Sequence, residues 1–538
     1  MTPPVDGERP EQPGARAPAA DASPLPRWSV GVLVGGTLWA AVAEATTRPW
    51  ALNPDGISYL DQAAAWRAGE LTQAINSYWS PGYPVMLALW GALTSPFGMP
   101  AIPGAHVLNV LIAGAFALAA ACLHRELDAE WACDGVGRPL RWMAWGTMFL
   151  VVVLAVAHLA PPTLLTPDLL MATMLLVLAT SAVREIRATS TAGWSWLRLG
   201  LLTGVLYLTK TAGLPVGVVL VACATFAATG ATVRTVLSRG TRAALGCAVL
   251  VVPWATALSL ADGRLTLGSS ATLNRTWSWD EGGHREAIQA RQGPQVLAYP
   301  RDAGGTLPLW YAPQKFVGES PAPVASRARP ILAVVSKNLH GDARRWHFFL
   351  LGCAGLVVLA RAAGGPPARS RLLLVLIVPP LAGLAMYLLV YAEGRFYAGY
   401  VVLATLAAAG AALATPGGPG PLLRGAAAAL VLLAARPLSH AQKLPDLGPY
   451  PNPYRAVIEK LQRAGISPGS SVAVVGDPLR AYWALPAGVR VAATLELPSA
   501  SLYHNAPEAT RRRWEDTFRG AGAEVVVLTH GPFQATVL

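Results

Sequence analysis

Long apolar runs separated by short polar breaks dominate the chain from residue 29 to residue 436. They lie at 29–45, 103–123, 142–159, 168–184, 196–209, 212–229, 243–261, 347–361, 372–391, 396–415 and 423–436. Most reach or approach the roughly 17–25 residues a helix needs to cross a ~30 Å hydrocarbon layer. Inside a bilayer each backbone N–H and C=O must find its partner within the segment, so such runs predict helices. The pattern thus predicts an all-α polytopic membrane bundle of about eleven spans. A further run at 83–97 is short and carries Pro84 and Pro96, with Pro81 just ahead of it. Proline breaks helices, and this run reads as a re-entrant or surface-lying helix.

After the last run the periodicity changes. Residues 437–538 read as helix (454–464), strand (471–475), short helix (478–483), strand (489–495), helix (506–519) and strand (524–529). Short β-branched runs alternating with amphipathic helices predict a small extramembrane α/β domain with a parallel sheet. It has no G-x-G-x-x-G turn, so a dinucleotide site is not supported. At the other end, residues 1–27 are rich in Pro, Ala and Gly without an apolar stripe, which predicts a disordered tail. The run that follows has no A-x-A-type cleavage site leading to a soluble domain and reads as a retained first span. The expected domains are the tail (1–27), a membrane domain (28–436) with long loops at 46–102 and 262–345, and the α/β domain (437–538).

Composition agrees with this division. The chain is 53% hydrophobic and only 13% charged, with a mean hydropathy of +0.41, which excludes an ordinary water-soluble domain. Its net charge of +12 does not indicate nucleic-acid binding, because the arginines are scattered through short loops instead of gathered on one face. They report topology. One set of alternate segments holds sixteen Lys and Arg, among them Arg125, Arg138, Arg141, Arg234 and Arg239, whereas the opposite short loops hold four: Arg48, Arg67, Lys210 and Arg395. Positive loops stay inside, which predicts a cytoplasmic N-terminus, an external C-terminus and external long loops. A full crossing at 83–97 would invert that pattern. The five cysteines show no C-x-x-C or His-paired spacing, so neither a disulfide framework nor a zinc site is indicated.

With that topology the polar residues nearest the membrane converge on the external side. Asp55 and Asp61 lie in the first loop, Asp168 in Thr166-Pro167-Asp168, Lys210 in Thr209-Lys210-Thr211, and Glu393 and Arg395 in Glu393-Gly394-Arg395. Ionisable groups at the edge of an apolar bundle are costly and mark functional sites by default. Each has an ordinary reading as well: Asp55, Asp61 and Asp168 as helix-capping or solvated acids, Lys210 and Arg395 as interface anchors. Together they suit one chemistry, in which a carboxylate takes a proton from a hydroxyl and cations hold a departing phosphate. Trp50, Tyr59, Trp66, Tyr78, Trp79 and Tyr83 crowd the same loop. Such rings suit a membrane interface and equally the face of a sugar.

The loop Asn53-Pro54-Asp55 through Tyr59, followed by Tyr78-Trp79-Ser80-Pro81-Gly82-Tyr83-Pro84, resembles the first external loop of GT-C fold glycosyltransferases. The likeness is to the bacterial branch related to protein O-mannosyltransferases and lipid A aminoarabinose transferases. Thr166-Pro167-Asp168-Leu169-Leu170, Leu208-Thr209-Lys210-Thr211 and Glu393-Gly394-Arg395-Phe396-Tyr397 extend it in order over residues 30–400. The resemblance implies an enzyme of a bacterial inner membrane that moves a hexosyl or pentosyl group from a polyprenyl-phosphate donor to a lipid, glycan or protein hydroxyl, usually with inversion. It implies Asp55 and Asp168 as catalytic acids and Lys210 and Arg395 as ligands of the donor phosphate. Tyr59, Asp61, Trp79, Tyr83 and Glu393 are the expected substrate contacts. Many relatives carry a second acid where this chain has Gly56, which leaves a divalent metal open. Residues 262–345, with Trp277, Trp279, Asp280, Glu281 and His284, are expected to close over the acceptor or to form a plain solvated loop. The rival readings are a lipid or sugar transporter or flippase, against which stand the absence of an inverted repeat and charges gathered at one face, and a non-catalytic envelope scaffold.

Overall fold

The computed structural model describes residues 23–188, 193–228, 231–279, 296–316, 328–341, 344–362, 367–413, 452–497, 500–528 and 534–537. The expected span at 423–436, most of the expected tail, and Asp280, Glu281 and His284 lie outside the described residues.

Each of the other ten expected spans is a helix. They are α1 (Trp28–Thr47), α5 (Ala101–Cys133), α6 (Arg138–Leu154), α7 (Asp168–Arg187), α8 (Gly193–Thr209), α9 (Gly213–Ala227), α10 (Val233–Asp262), α14 (Arg344–Ala362), α15 (Pro367–Leu389) and α16 (Ala398–Leu413). Between α1 and α5 stand α2 (Pro54–Ala68), α3 (Leu71–Ala74) and α4 (Gly82–Thr94), and after α10 come α11 (Ser270–Trp279), α12 (Pro308–Tyr311) and α13 (Ala328–His340). Among the described residues, seven helices are long and apolar enough to cross a membrane, and this is a multi-pass bundle. The run at 83–97 folds as α4, 13 residues long, about 20 Å at 1.5 Å per residue, which is too short to span.

The bundle closes as membrane bundles do, through small residues that let backbones meet. A Cβ on Gly200 of α8 would lie 1.8 Å from the Ala243 carbonyl oxygen of α10, and one on Gly246 of α10 would lie 2.1 Å from that of Leu197. α7 and α16 sit at the centre, most of their side chains buried. At one end of the bundle Arg141, counted above among loop charges, is wholly buried. Its Nη1 lies 3.1 Å from Asp128 Oδ1, and Asp128 Oδ2 accepts the Leu25 N–H at 2.8 Å.

At the opposite end stands the α/β unit. Strands β2 (Ser471–Val475), β3 (Arg490–Leu495) and β4 (Val525–Leu528) are parallel and match the expected positions closely. Two antiparallel edges, β1 (Leu297–Ala298) and β5 (Gln534–Val537), complete the order β1-β3-β2-β4-β5. The central strands are buried on both faces, as parallel strands must be. One face gathers Val472, Val491, Val525 and Leu461 together with Ile57 of α2 and Tyr299. The other gathers Val475, Leu495, Val526 and Phe518. The sheet therefore rests on the first loop of the membrane domain, and its edge strand β1 comes from the loop that joins α11 to α12.

Candidate active site

Asn53 starts α2 in extended backbone, so Asp55 falls in the first helical turn without capping it. The Asn53 side chain accepts the Leu165 N–H at 3.2 Å, which draws the turn before α7 against the start of α2. Gly56 permits that approach, since a Cβ there would stand 2.8 Å from both Asn53 Oδ1 and Leu165 Cβ. The turn then delivers Asp168 as the first residue of α7, with no capping bond. Each acid thus sits where a helix N-terminus favours negative charge.

Lys210 follows the last residue of α8, and its turn is fastened to the first loop. Thr211 N–H donates to Ser80 Oγ at 2.9 Å. Arg395 lies in the short turn Gly394–Tyr397 ahead of α16. These four elements bring the charges together. Arg395 Nη1 is 2.9 Å from Asp55 Oδ2, and its Nε is 3.5 Å from Asp168 Oδ2. Lys210 Nζ is 2.5 Å from Asp168 Oδ1. Asp168 is the floor, its side chain 2% exposed, whereas Asp55, Arg395 and Lys210 are 15–22% exposed at the opening. Lys210 and Arg395 are therefore not free interface anchors. Each is aimed inward at a carboxylate.

Glu393 forms the lip, paired with Arg395 and accepting the Tyr391 hydroxyl. The ring of Phe396 backs both cations, with Lys210 Nζ 3.9 Å and Arg395 Cζ 5.4 Å from its centroid, and Tyr387 stacks behind it at 4.6 Å. Such cation–π contacts are worth about 0.5–2 kcal/mol each.

Several expected substrate contacts stand elsewhere. Tyr59, Trp79 and Tyr83 pack edge to face, Tyr59 lying 4.9 Å from Trp79 and 5.3 Å from Tyr83. All three are buried. Two of their polar ends are also engaged: Trp79 Nε1 donates to the Tyr311 carbonyl at 3.0 Å and Tyr83 Oη to Asn109 at 2.9 Å. They form a wall under the acids instead of an open stacking face, because ring-on-ring packing buries more apolar area than the interface offers. Burial, then the charges of Asp55 and Asp168, hold the Tyr59 phenol well above its ordinary pKa, so it stays protonated. Asp61 points away from the cluster to Thr306, accepting its N–H at 2.7 Å and its hydroxyl at 2.8 Å. Burial raises the Asp61 carboxyl to about 7 against the effect of those bonds.

One contact had no sequence signal. Trp310 of α12 donates its indole N–H to Asp55 Oδ1 at 3.0 Å. Phe396, by contrast, follows Arg395 in the very motif that drew attention to it, and Tyr391 lies two residues before that motif.

The donor set does not fit a divalent cation. Asp55, Asp168 and Glu393 each face Lys210 or Arg395, and the position of a second acid is Gly56, where no side chain has room. Among the described residues no three of His, Cys, Asp and Glu are grouped as metal ligands.

Comparison with solved structures shows that this bundle has the GT-C fold. The oligosaccharyltransferase of Archaeoglobus fulgidus, crystallised with Zn and sulfate, superposes with a TM-score of 0.51 at 13% identity, over 93% of this chain and 67% of that one. That match shows the fold. Arabinofuranosyltransferase AftD from Mycobacteria gives a TM-score of 0.49 at 13% identity, over 94% of this chain and 35% of its own. ArnT from Cupriavidus metallidurans gives 0.39 at 13% identity, over 93% of each chain. No protein-family model and no curated protein matches the sequence.

Proposed function

We propose that this chain is an integral membrane glycosyltransferase that takes a sugar from a polyprenyl-phosphate donor and attaches it to an envelope hydroxyl, with inversion, at the external face of a bacterial inner membrane. The observation that carries the reading is the unbroken chain of ion pairs from Asp55 through Arg395 and Asp168 to Lys210. The excess of Lys and Arg in the opposite loops supports the external side. The GT-C fold supports the class, and the matched oligosaccharyltransferase is by name a sugar-transferring enzyme.

In this reading Asp55 is the general base. The acceptor oxygen gives its proton to Asp55 and attacks the anomeric carbon. The bond from that carbon to the phosphate oxygen breaks, and its electron pair leaves with the polyprenyl phosphate. Lys210 and Arg395 stabilise the charge that grows on that phosphate. Asp168, enclosed and bound to both cations, acts as their counter-ion and not as a second base. An arriving phosphate shares Arg395 with Asp55, and each oxygen of that carboxylate keeps a lone pair with which to take the acceptor proton. General-base assistance is worth roughly 10² to 10⁴ in rate, and holding donor and acceptor in one cavity adds an orientation term.

The test is transfer from a panel of polyprenyl-phosphate sugars by the purified chain in lipid vesicles, beside mass spectrometry of envelope glycans from cells lacking it. Donor consumption with release of polyprenyl phosphate, reduced at least about 100-fold in Asp55→Asn, is the expected result. Full turnover in that variant removes Asp55 from the base role. Donor that crosses the bilayer intact supports a flippase instead.

A further inference from the structure

We propose that Trp310 is a positioning residue for Asp55, held in place by a strap, residues 296–316, that the α/β unit anchors. The inference rests on Asp55 being the base of the transfer reaction.

A carboxylate held by one partner can swing about its last torsion, and a base that swings is out of line with its proton. Asp55 is held by two. Arg395 takes Oδ2 at 2.9 Å and Trp310 Nε1 takes Oδ1 at 3.0 Å, both from segments far downstream, 255 residues away in the case of Trp310. Two charge-assisted donors, one on each oxygen, fix the carboxylate plane. Each oxygen retains a lone pair for the acceptor proton.

A positioning group must itself be fixed. The Trp310 ring stacks on Trp277, centroids 6.2 Å apart and planes 12° from parallel, and Trp277 is fully buried. Trp79 lies edge-on to it at 6.4 Å. The backbone beside it is tied as well: the Tyr311 carbonyl accepts Asn76 Nδ2 at 2.8 Å and Trp79 Nε1 at 3.0 Å.

The remainder of the strap accounts for the α/β unit. Leu297 and Ala298 pair with β3 as its edge strand. Tyr299 N–H donates to the Ala492 carbonyl at 2.8 Å, and Val491 N–H to that of Thr306 at 3.0 Å. Thr306 in turn binds Asp61 on α2. The strap is therefore gripped by the sheet at its start, by α2 at its middle and by Asp55 at Trp310. On this account the extramembrane domain serves the reaction by holding a loop, with no substrate contact of its own.

Two substitutions separate the hydrogen bond from the packing. Trp310→Phe keeps a ring over Trp277 and loses the N–H, and Trp310→His restores an N–H donor on a smaller ring. Both are assayed as full-length protein in vesicles beside Asp55→Asn. The expected result for Phe is a kcat lowered roughly 10- to 100-fold, the scale of a misplaced catalytic group, with donor KM within twofold and unchanged thermal unfolding. His recovers part of the loss. Wild-type kcat in Trp310→Phe, or a loss that His does not relieve, overturns the proposal. If Asp55→Asn is inactive while Trp310→Phe is normal, this inference alone falls. If Asp55→Asn stays active, the assignment of the base falls first.

Discussion

Lys210 Nζ sits 2.5 Å from Asp168 Oδ1, and the carboxylate it meets is almost completely enclosed. A cation spending its charge on a buried acid is poised to be shared with an incoming phosphate. Lys210→Met should lower turnover about 10²- to 10³-fold, the usual loss when one electrostatic stabiliser is removed. Asp168→Asn should cost less in kcat and more in donor KM, because both cations lose their counter-ion and drift. Steady-state kinetics with varied donor separates the two, and equal effects on kcat and KM in both variants would contradict the division of roles.

Asp61 gives a pH dependence of known sign. Burial raises its carboxyl from 3.8 to about 7 in the fold. Below pH 3.8 the folded and unfolded chains both carry the proton, and the contribution to stability is complete. Between the two values the unfolded chain has released it and the folded chain retains it, so stability falls as pH rises, and the fall is finished above about 7. Thermal unfolding from pH 4 to 8 should show this slope in the wild type. Asp61→Asn, which cannot titrate, should flatten it, and an unchanged slope would assign it to another group.

Gly56 marks a place where the fold admits no side chain. Gly56→Ala should destabilise the protein by roughly 1–3 kcal/mol through overpacking, because its Cβ meets Leu165 Cβ at 2.8 Å. Gly56→Glu, which installs the second acid common among similar first loops, should be worse and should not confer metal-dependent activity. Unfolding midpoints and a divalent-ion titration of turnover check both halves. A folded, metal-stimulated Glu variant would show that the pairing of the acids with Lys210 and Arg395 does not keep a cation out.

Far from this cluster, Arg141 and Asp128 form an ion pair without solvent. Removing one partner strands a buried charge, and Arg141→Met should cost about 3–5 kcal/mol. Arg141→Met with Asp128→Asn should recover most of it, since the amide oxygen can still accept the Leu25 N–H. Unfolding of the two variants in the same detergent measures the difference, and additive losses would mean that the pair is not coupled.

What could be read from the sequence follows from the range of the interactions concerned. Spans and strands are local statements: apolar length fixed the helices, and β-branched runs placed β2, β3 and β4 within a residue or two. The meeting of Asp55, Asp168, Lys210 and Arg395 was legible only because a topology argument put four separate loops on one side. Trp310 was not legible, since its partner is 255 residues away and no periodicity marks the loop that carries it. Arg141 passed for a solvated loop charge because nothing local distinguishes it from Arg138. The aromatic run around Tyr59 pointed to the right region with the wrong exposure, for a sequence shows which rings are near one another and not which of them water can reach.

The edge strand β1 bears on how the protein is made. Tyr299, next to that strand, meets Thr494 across 195 residues of chain, and α14 to α16 must be threaded into the bilayer between the synthesis of the two. The sheet can close only after the ribosome has delivered the last helix and its sequel. Assembly of the reaction centre thereby becomes a late event, and a polypeptide stalled or cut before the C-terminal segment would sit in the membrane well inserted yet inert.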